Sequence, residues 1–174
     1  MLIKLKGKNY REIKGQPYTR REFIKGHPQS KIAKFTIGNP NGIYDYVFKL
    51  ISCERAQIRH NALEAARVSV NKIATSLGEG NYYLSVKAFP HVILRENKVV
   101  ATAGADRLSE GMRRAFGKPV GLAARVEDGT VLIELGMKGK NTQQAKDALK
   151  VASSKLPVKT RLEITERPAV TSGA

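Results

Sequence analysis

Two amphipathic helical stretches, set far apart among strand-like alternation, restrict the folds open to this chain more than any other feature. Leu63, Ala66, Val70, Ile73 and Leu77 recur at spacings of three and four while Glu64, Arg67 and Lys72 point elsewhere. That pattern predicts a helix over 61–78, with Asn61 as N-cap and Gly78 as the C′ residue. A second helix is expected over 142–155, where Ala145, Ala148, Leu149, Ala152 and Leu156 form the apolar stripe. Asn141 and Gln144 are placed as its capping pair and Pro157 ends it. Two helices so placed are too few and too irregular for a doubly wound parallel sheet. The expected class is α+β, a two-layer sandwich in which both helices cover one side of a mixed or antiparallel sheet.

The strands are read from alternation and turn chemistry. Residues 35–38 and 43–52 read as strands around Asn39-Pro40-Asn41-Gly42, a predicted hairpin. Residues 82–89 and 91–95 read as half-buried strands on either side of Pro90. Leu122, Ala124 and Val126 alternate up to Asp128-Gly129, and Val131, Ile133 and Leu135 follow, which predicts a second hairpin. Residues 158–165 form the last expected strand, and 167–174 a flexible tail. No internal repeat of about 20 to 50 residues is visible.

Charge narrows the function. The chain has 174 residues, 31 Lys and Arg against 15 Asp and Glu, and a formal net charge of +16. Such self-repulsion calls for a polyanionic partner. No apolar run is long enough to span a bilayer and the N-terminal stretch has no signal-peptide pattern, so the chain is expected to be soluble and cytoplasmic. A lone cysteine, Cys53, agrees with a reducing compartment. Half of the net charge lies in residues 1–34, ten basic residues against two acidic ones. This segment is broken by Gly and Pro and lacks a sustained pattern. It reads as an arm preceding a single domain over 35–166 and laid along a phosphate surface through Arg11, Lys14, Tyr18, Arg20, Arg21, Lys25, Lys31 and Lys34. Tyr10, Tyr18 and Phe23 favour RNA, because aromatic rings among cations can stack on bases. A disordered solubilising tail is the competing reading.

The stretch Thr102 to Leu122, TAGADRLSEGMRRAFGKPVGL, is too long a connection between strands to be idle. Its Gly111 to Pro119 segment resembles a phosphate-binding loop but fails twice. Five residues separate the glycines, and Pro119 replaces the hydroxyl residue that would hold magnesium. Nucleotide hydrolysis is therefore a poor use of these residues. Arg107, Arg113, Arg114 and Lys118 offer donors for phosphates and guanine edges, while Gly104, Gly111 and Gly117 permit close backbone approach. Asp106 orients Arg107 or caps a short helix. A mobile loop with merely solvated charges is the alternative. The three histidines, His27, His60 and His91, lie in separate segments, so no metal site is expected. His60 and Glu64 share a helical face, an arrangement far more often a structural contact than a catalytic pair.

Arg95-Glu96-Asn97-Lys98, the long run AGADRLSEGMRRAFGKPVGLAARV, Leu63 to Arg67, Phe89-Pro90-His91 and Pro17 to Glu22 together resemble the archaeal and eukaryotic branch of the large-ribosomal-subunit protein sixteen family, also called ribosomal protein ten-e or the QM protein. The likeness covers about residues 10–166, and the short tail looks archaeal. The resemblance implies an α/β-hammerhead fold, no catalysis and no cofactor. It further implies a place on the large subunit near the peptidyl-transferase region, the central protuberance and the stalk base. Implied partners are large-subunit rRNA, tRNA and neighbouring ribosomal proteins, with no membrane and no small-molecule substrate. Gly104, Ala105, Asp106, Arg107, Gly111, Met112, Arg113, Ala115, Phe116, Gly117 and Lys118 fall on the family's tRNA-facing loop. Arg114 stands where the family commonly has a small residue. The runner-up is an assembly factor or extraribosomal RNA-binding regulator of the same fold.

Overall fold

The computed structural model describes residues 7–78, 80–98, 112–113, 115–139 and 142–166. In chain order these form α1 (Gly7–Arg11), a 3-10 turn (Arg21–Phe23), β1 (Thr36–Ile37), β2 (Tyr46–Ser52), β3 (Ala56–Arg59) and α2 (His60–Ala74). They continue as a second 3-10 turn (Thr75–Leu77), β4 (Tyr82–Val86), β5 (Val92–Glu96), β6 (Lys118–Val126), β7 (Val131–Met137), α3 (Thr142–Ser153) and β8 (Thr160–Glu166). The class is α+β with two main helices, as expected, but the strands divide between two antiparallel sheets. One has the order β1-β4-β7-β2-β8 and the other β3-β6-β5.

Both helices form where the apolar spacing placed them. α2 buries Leu63, Ala66, Val70 and Ala74, and α3 buries Ala145, Ala148, Leu149 and Ala152. Alanine on the facing stripes lets the helices lie against each other and over the larger sheet. Phe48, Leu50, Leu84, Ile133 and Leu135 complete this core. Arg59, with no side-chain cap, takes the N-cap position of α2; Asn61 lies inside the first turn. Asn141 is outside the described residues.

Neither predicted hairpin forms. β1 pairs with β4, Thr36 opposite Ser85, instead of with β2. The turn residues do reverse the chain, for Gly42 N–H donates to Asn39 O at 3.2 Å and Asn41 N–H to Asn39 Oδ1 at 3.0 Å. Tyr44 then tucks its hydroxyl onto Asn39 O at 2.6 Å and buries its ring 4.7 Å from that of Tyr83, so the chain enters β2 away from β1. The turn at Asp128-Gly129 likewise fails to make a hairpin. β6 pairs with β3 and β5, β7 with β2 and β4, and the turn carries the chain from one sheet to the other. The physical reason is capture by β2: Gly129 N–H donates to Ser52 O and Ser52 N–H to Thr130 O, both at 2.9 Å.

β4 is buried along its whole length. Its outward residue Tyr83 lies across Gly136, where an added Cβ would sit 1.9 Å from the ring, so only glycine permits this crossing. The same Tyr83 donates its hydroxyl to Glu134, which also accepts from Lys87 Nζ at 3.0 Å. Burial would raise the Glu134 carboxyl, but these two donors outweigh it and hold the group below the usual carboxylate range.

Candidate nucleic-acid interface

The basic arm is stitched to the three-stranded sheet. Gln57 Nε2 on β3 donates to Tyr10 O at 3.0 Å, and Arg125 on β6 donates to Gly15 O at 2.9 Å and to Gln57 Oε1 at 3.2 Å. Ile93 N–H on β5 donates to Tyr18 O at 2.8 Å. Ile24 then packs with Ile93, Leu122 and Tyr18 in a small cluster separate from the main core. Further on, Ile32 enters the main core itself. Lys31 N–H donates to His60 Nδ1 at 3.2 Å and Ala33 N–H to Glu64 Oε2 at 3.4 Å. The His60 and Glu64 pair thus anchors the end of the arm to α2.

Their ionisation follows from these contacts. Burial, reinforced by the charges of Lys31 and Arg59, pushes the His60 imidazole below its ordinary value, which suits an acceptor of an N–H. Arg67 donates to both oxygens of Glu64, at 2.8 and 2.6 Å, and holds its carboxyl low.

The cations of the arm divide into two groups. Arg11 pairs with Glu54, Lys14 reaches Glu12 at 3.3 Å, and Arg21 donates to Pro90 O at 3.4 Å. Arg20, Lys25, Lys31 and Lys34 are exposed and have no ion-pair partner among the described residues. These four offer charge to an external anion at little desolvation cost.

Tyr18, from the arm, and Phe116, at the foot of the 102–118 segment just before β6, meet around Arg95 of β5. The guanidinium carbon stands 4.2 Å from the Tyr18 ring centre and 3.7 Å from that of Phe116, and the two rings lie 5.7 Å apart at 68°. Such cation–π stacking is worth about 0.5–2 kcal/mol per contact, depending on solvent exposure. Gly117 fixes the foot further, because a Cβ there would lie 2.5 Å from the Glu96 carbonyl carbon. Its close backbone approach is therefore to β5. Lys118 opens β6 opposite Glu96. Met112, Arg113 and Ala115 are exposed, and Phe116 is 67% exposed despite its stacking. Gly104, Ala105, Asp106, Arg107, Gly111 and Arg114 lie outside the described residues.

Arg95 escaped the sequence reading as a site residue, although it opens the run Arg95 to Lys98 that carries part of the family likeness; its two ring partners are remote in sequence. Phe89 is a second such residue. It is 53% exposed, stacks on Phe35 at 5.4 Å and lies 5.9 Å beneath the Arg21 guanidinium. Among the described residues, no three His, Cys, Asp or Glu side chains gather as a metal site and no helix is long and apolar enough to cross a membrane.

Fold and surface together define a class: a basic two-sheet α+β protein whose cationic arm meets Phe116 and Arg95 on the smaller sheet. The chain belongs to the ribosomal protein L16p/L10e family, whose pattern matches residues 13–163. It is 53% identical over 154 residues to large ribosomal subunit protein uL16 of Staphylothermus marinus, covering 88% of each chain. The protein of the same name from Hyperthermus butylicus is 54% identical over 151 residues, covering 86% of this chain and 84% of that one. That from Sulfolobus acidocaldarius is 52% identical over 162 residues, covering 91% and 92%.

Proposed function

We propose that this chain is a structural, non-catalytic constituent of the large subunit of cytoplasmic ribosomes, bound to rRNA and neighbouring subunit proteins, and that its loop over 102–118 helps position tRNA near the peptidyl-transferase region. The name shared by its relatives supports the first part. The stacked Tyr18, Arg95 and Phe116 carry the second, because they fasten the foot of the loop to the arm. An arm held by RNA thereby gives the loop a fixed base from which to reach a second RNA. Arg20, Lys25, Lys31 and Lys34 supply the phosphate contacts; Arg113 and Lys118 supply charge on the loop side.

Two measurements test this. Stoichiometric retention on large subunits after a high-salt wash is expected; presence only on precursor particles, and below stoichiometry, would contradict the constituent role. Replacing residues 104–111 with a Gly-Ser linker keeps Phe116 and its stacking. The variant should still enter large subunits yet bind tRNA there more weakly, and unchanged tRNA binding would remove the loop from that role.

A further inference from the structure

Beside the stacked junction the arm encloses a recess of about 300 Å³, lined by Pro17, Tyr18, Thr19, Arg20, Phe23 and Ile24. Its floor is built in advance. Ile24 and Tyr18 are packed on Ile93 and Leu122, Tyr18 O is held by Ile93 N–H at 2.8 Å, and Arg95 covers the Tyr18 ring. The wall is Phe23, which closes the 3-10 turn Arg21–Phe23 and is 74% exposed. Ile24 N–H donates to Arg21 O at 3.1 Å, fixing the turn that presents the ring. A phenyl group so placed contributes little to the core, and it stands among Arg20 and Lys25, both exposed and without an ion-pair partner among the described residues.

We infer that this recess receives one unstacked nucleobase of single-stranded rRNA, which stacks on Phe23 while Arg20 and Lys25 hold the flanking phosphates. The volume stands at the lower end of the range for small-ligand sites, about 300–1,000 Å³, which suits a single base. An aromatic π-face with cations around it is the arrangement by which proteins hold splayed bases. An acidic peptide would use the cations but has no need of the ring. The inference deepens the rRNA-binding proposal and rests on it.

The test compares the full-length chain and its Phe23→Ala variant for binding to a single-stranded oligoadenylate and to an RNA duplex of matched length. Phe23→Ala should weaken single-strand binding about tenfold, the loss of one stacked base, with duplex binding and both salt slopes unchanged. Phe23→Tyr should restore the single-strand affinity. Because Phe23 is largely exposed, the thermal transition of both variants should match that of the parent. Equal single-strand binding by parent and Phe23→Ala, with salt-dependent affinity intact, would overturn the base site and leave the recess to a protein side chain; the broader rRNA reading would survive. Failure of the parent chain to bind either RNA would instead defeat that reading, and the base site with it.

Discussion

The five-stranded sheet and the three-stranded sheet are held in different ways. The larger one closes on α2 and α3 through fully buried apolar side chains such as Phe48, Leu84 and Leu135. The smaller one adds Ile58, Ala124 and Val126 to that same core from one face; on its arm side, among the described residues, it carries the Ile24, Ile93 and Leu122 cluster and relies on hydrogen bonds and on Arg95 between two rings. The first arrangement stabilises a fold without help. The second leaves charge and aromatic surface available, as a surface made for a polyanion should. Folding energy thus comes mainly from the core that both sheets share, while the proposed recognition surface lies on the arm side of the smaller sheet.

Damage to the larger half should be the more severe. Phe48→Ala removes a fully buried ring from the core and should cost about 3–5 kcal/mol, seen as a lowered denaturant midpoint at unchanged slope. A loss under about 1 kcal/mol would mean that the main core does not carry the fold. Arg95→Ala in the smaller half should leave the global transition nearly in place. It should raise amide exchange near residues 17–24 roughly tenfold, equivalent to about 1.4 kcal/mol of stacking. If it lowered global stability as far as Phe48→Ala, the division between the halves would fail.

The smallest effect lies where the arm meets α2. Burial lowers the pKa of His60, so as pH falls through the ordinary value of 6.5 the unfolded chain takes up a proton before the folded one does. Stability from this group is complete above that pH and is lost as pH falls through it toward the lower folded value. The fall should flatten in His60→Asn, and a denaturation series between neutral and mildly acidic pH reads it. An identical decline in the variant would place the titration elsewhere.

How much of this was legible follows from which forces are local. The helices were, because an apolar stripe at helical spacing needs only its own sequence, and the turns at Asn39–Gly42 and Asp128-Gly129 were for the same reason. Strand partners were not. Turn residues reverse the chain, but Ser52 on β2 captures Gly129 and Thr130 and thereby chooses the sheet. β3 was missed because Ala56-Gln57-Ile58-Arg59 is too short to show a period; its pairing with β6 defines it. Within the candidate site, Tyr18 and Phe116 were each legible as aromatic residues in basic segments. Their meeting around Arg95 depends on arm docking across the sheet, which no local pattern encodes.

The RNA-binding surface proposed for this chain is the arm, from its bed on the smaller sheet to its anchor on α2, and the salt dependence of RNA affinity tests it most directly. Replacing Arg20, Lys25, Lys31 and Lys34 with Gln should flatten the plot of log affinity against log salt by up to about 0.9 per lost phosphate contact on duplex RNA, taking the double-helical value. The same change at Lys146, Lys150 and Lys155, on and just after α3, should leave the slope as it was. Equal flattening by both sets, or none from the arm set, would contradict the account.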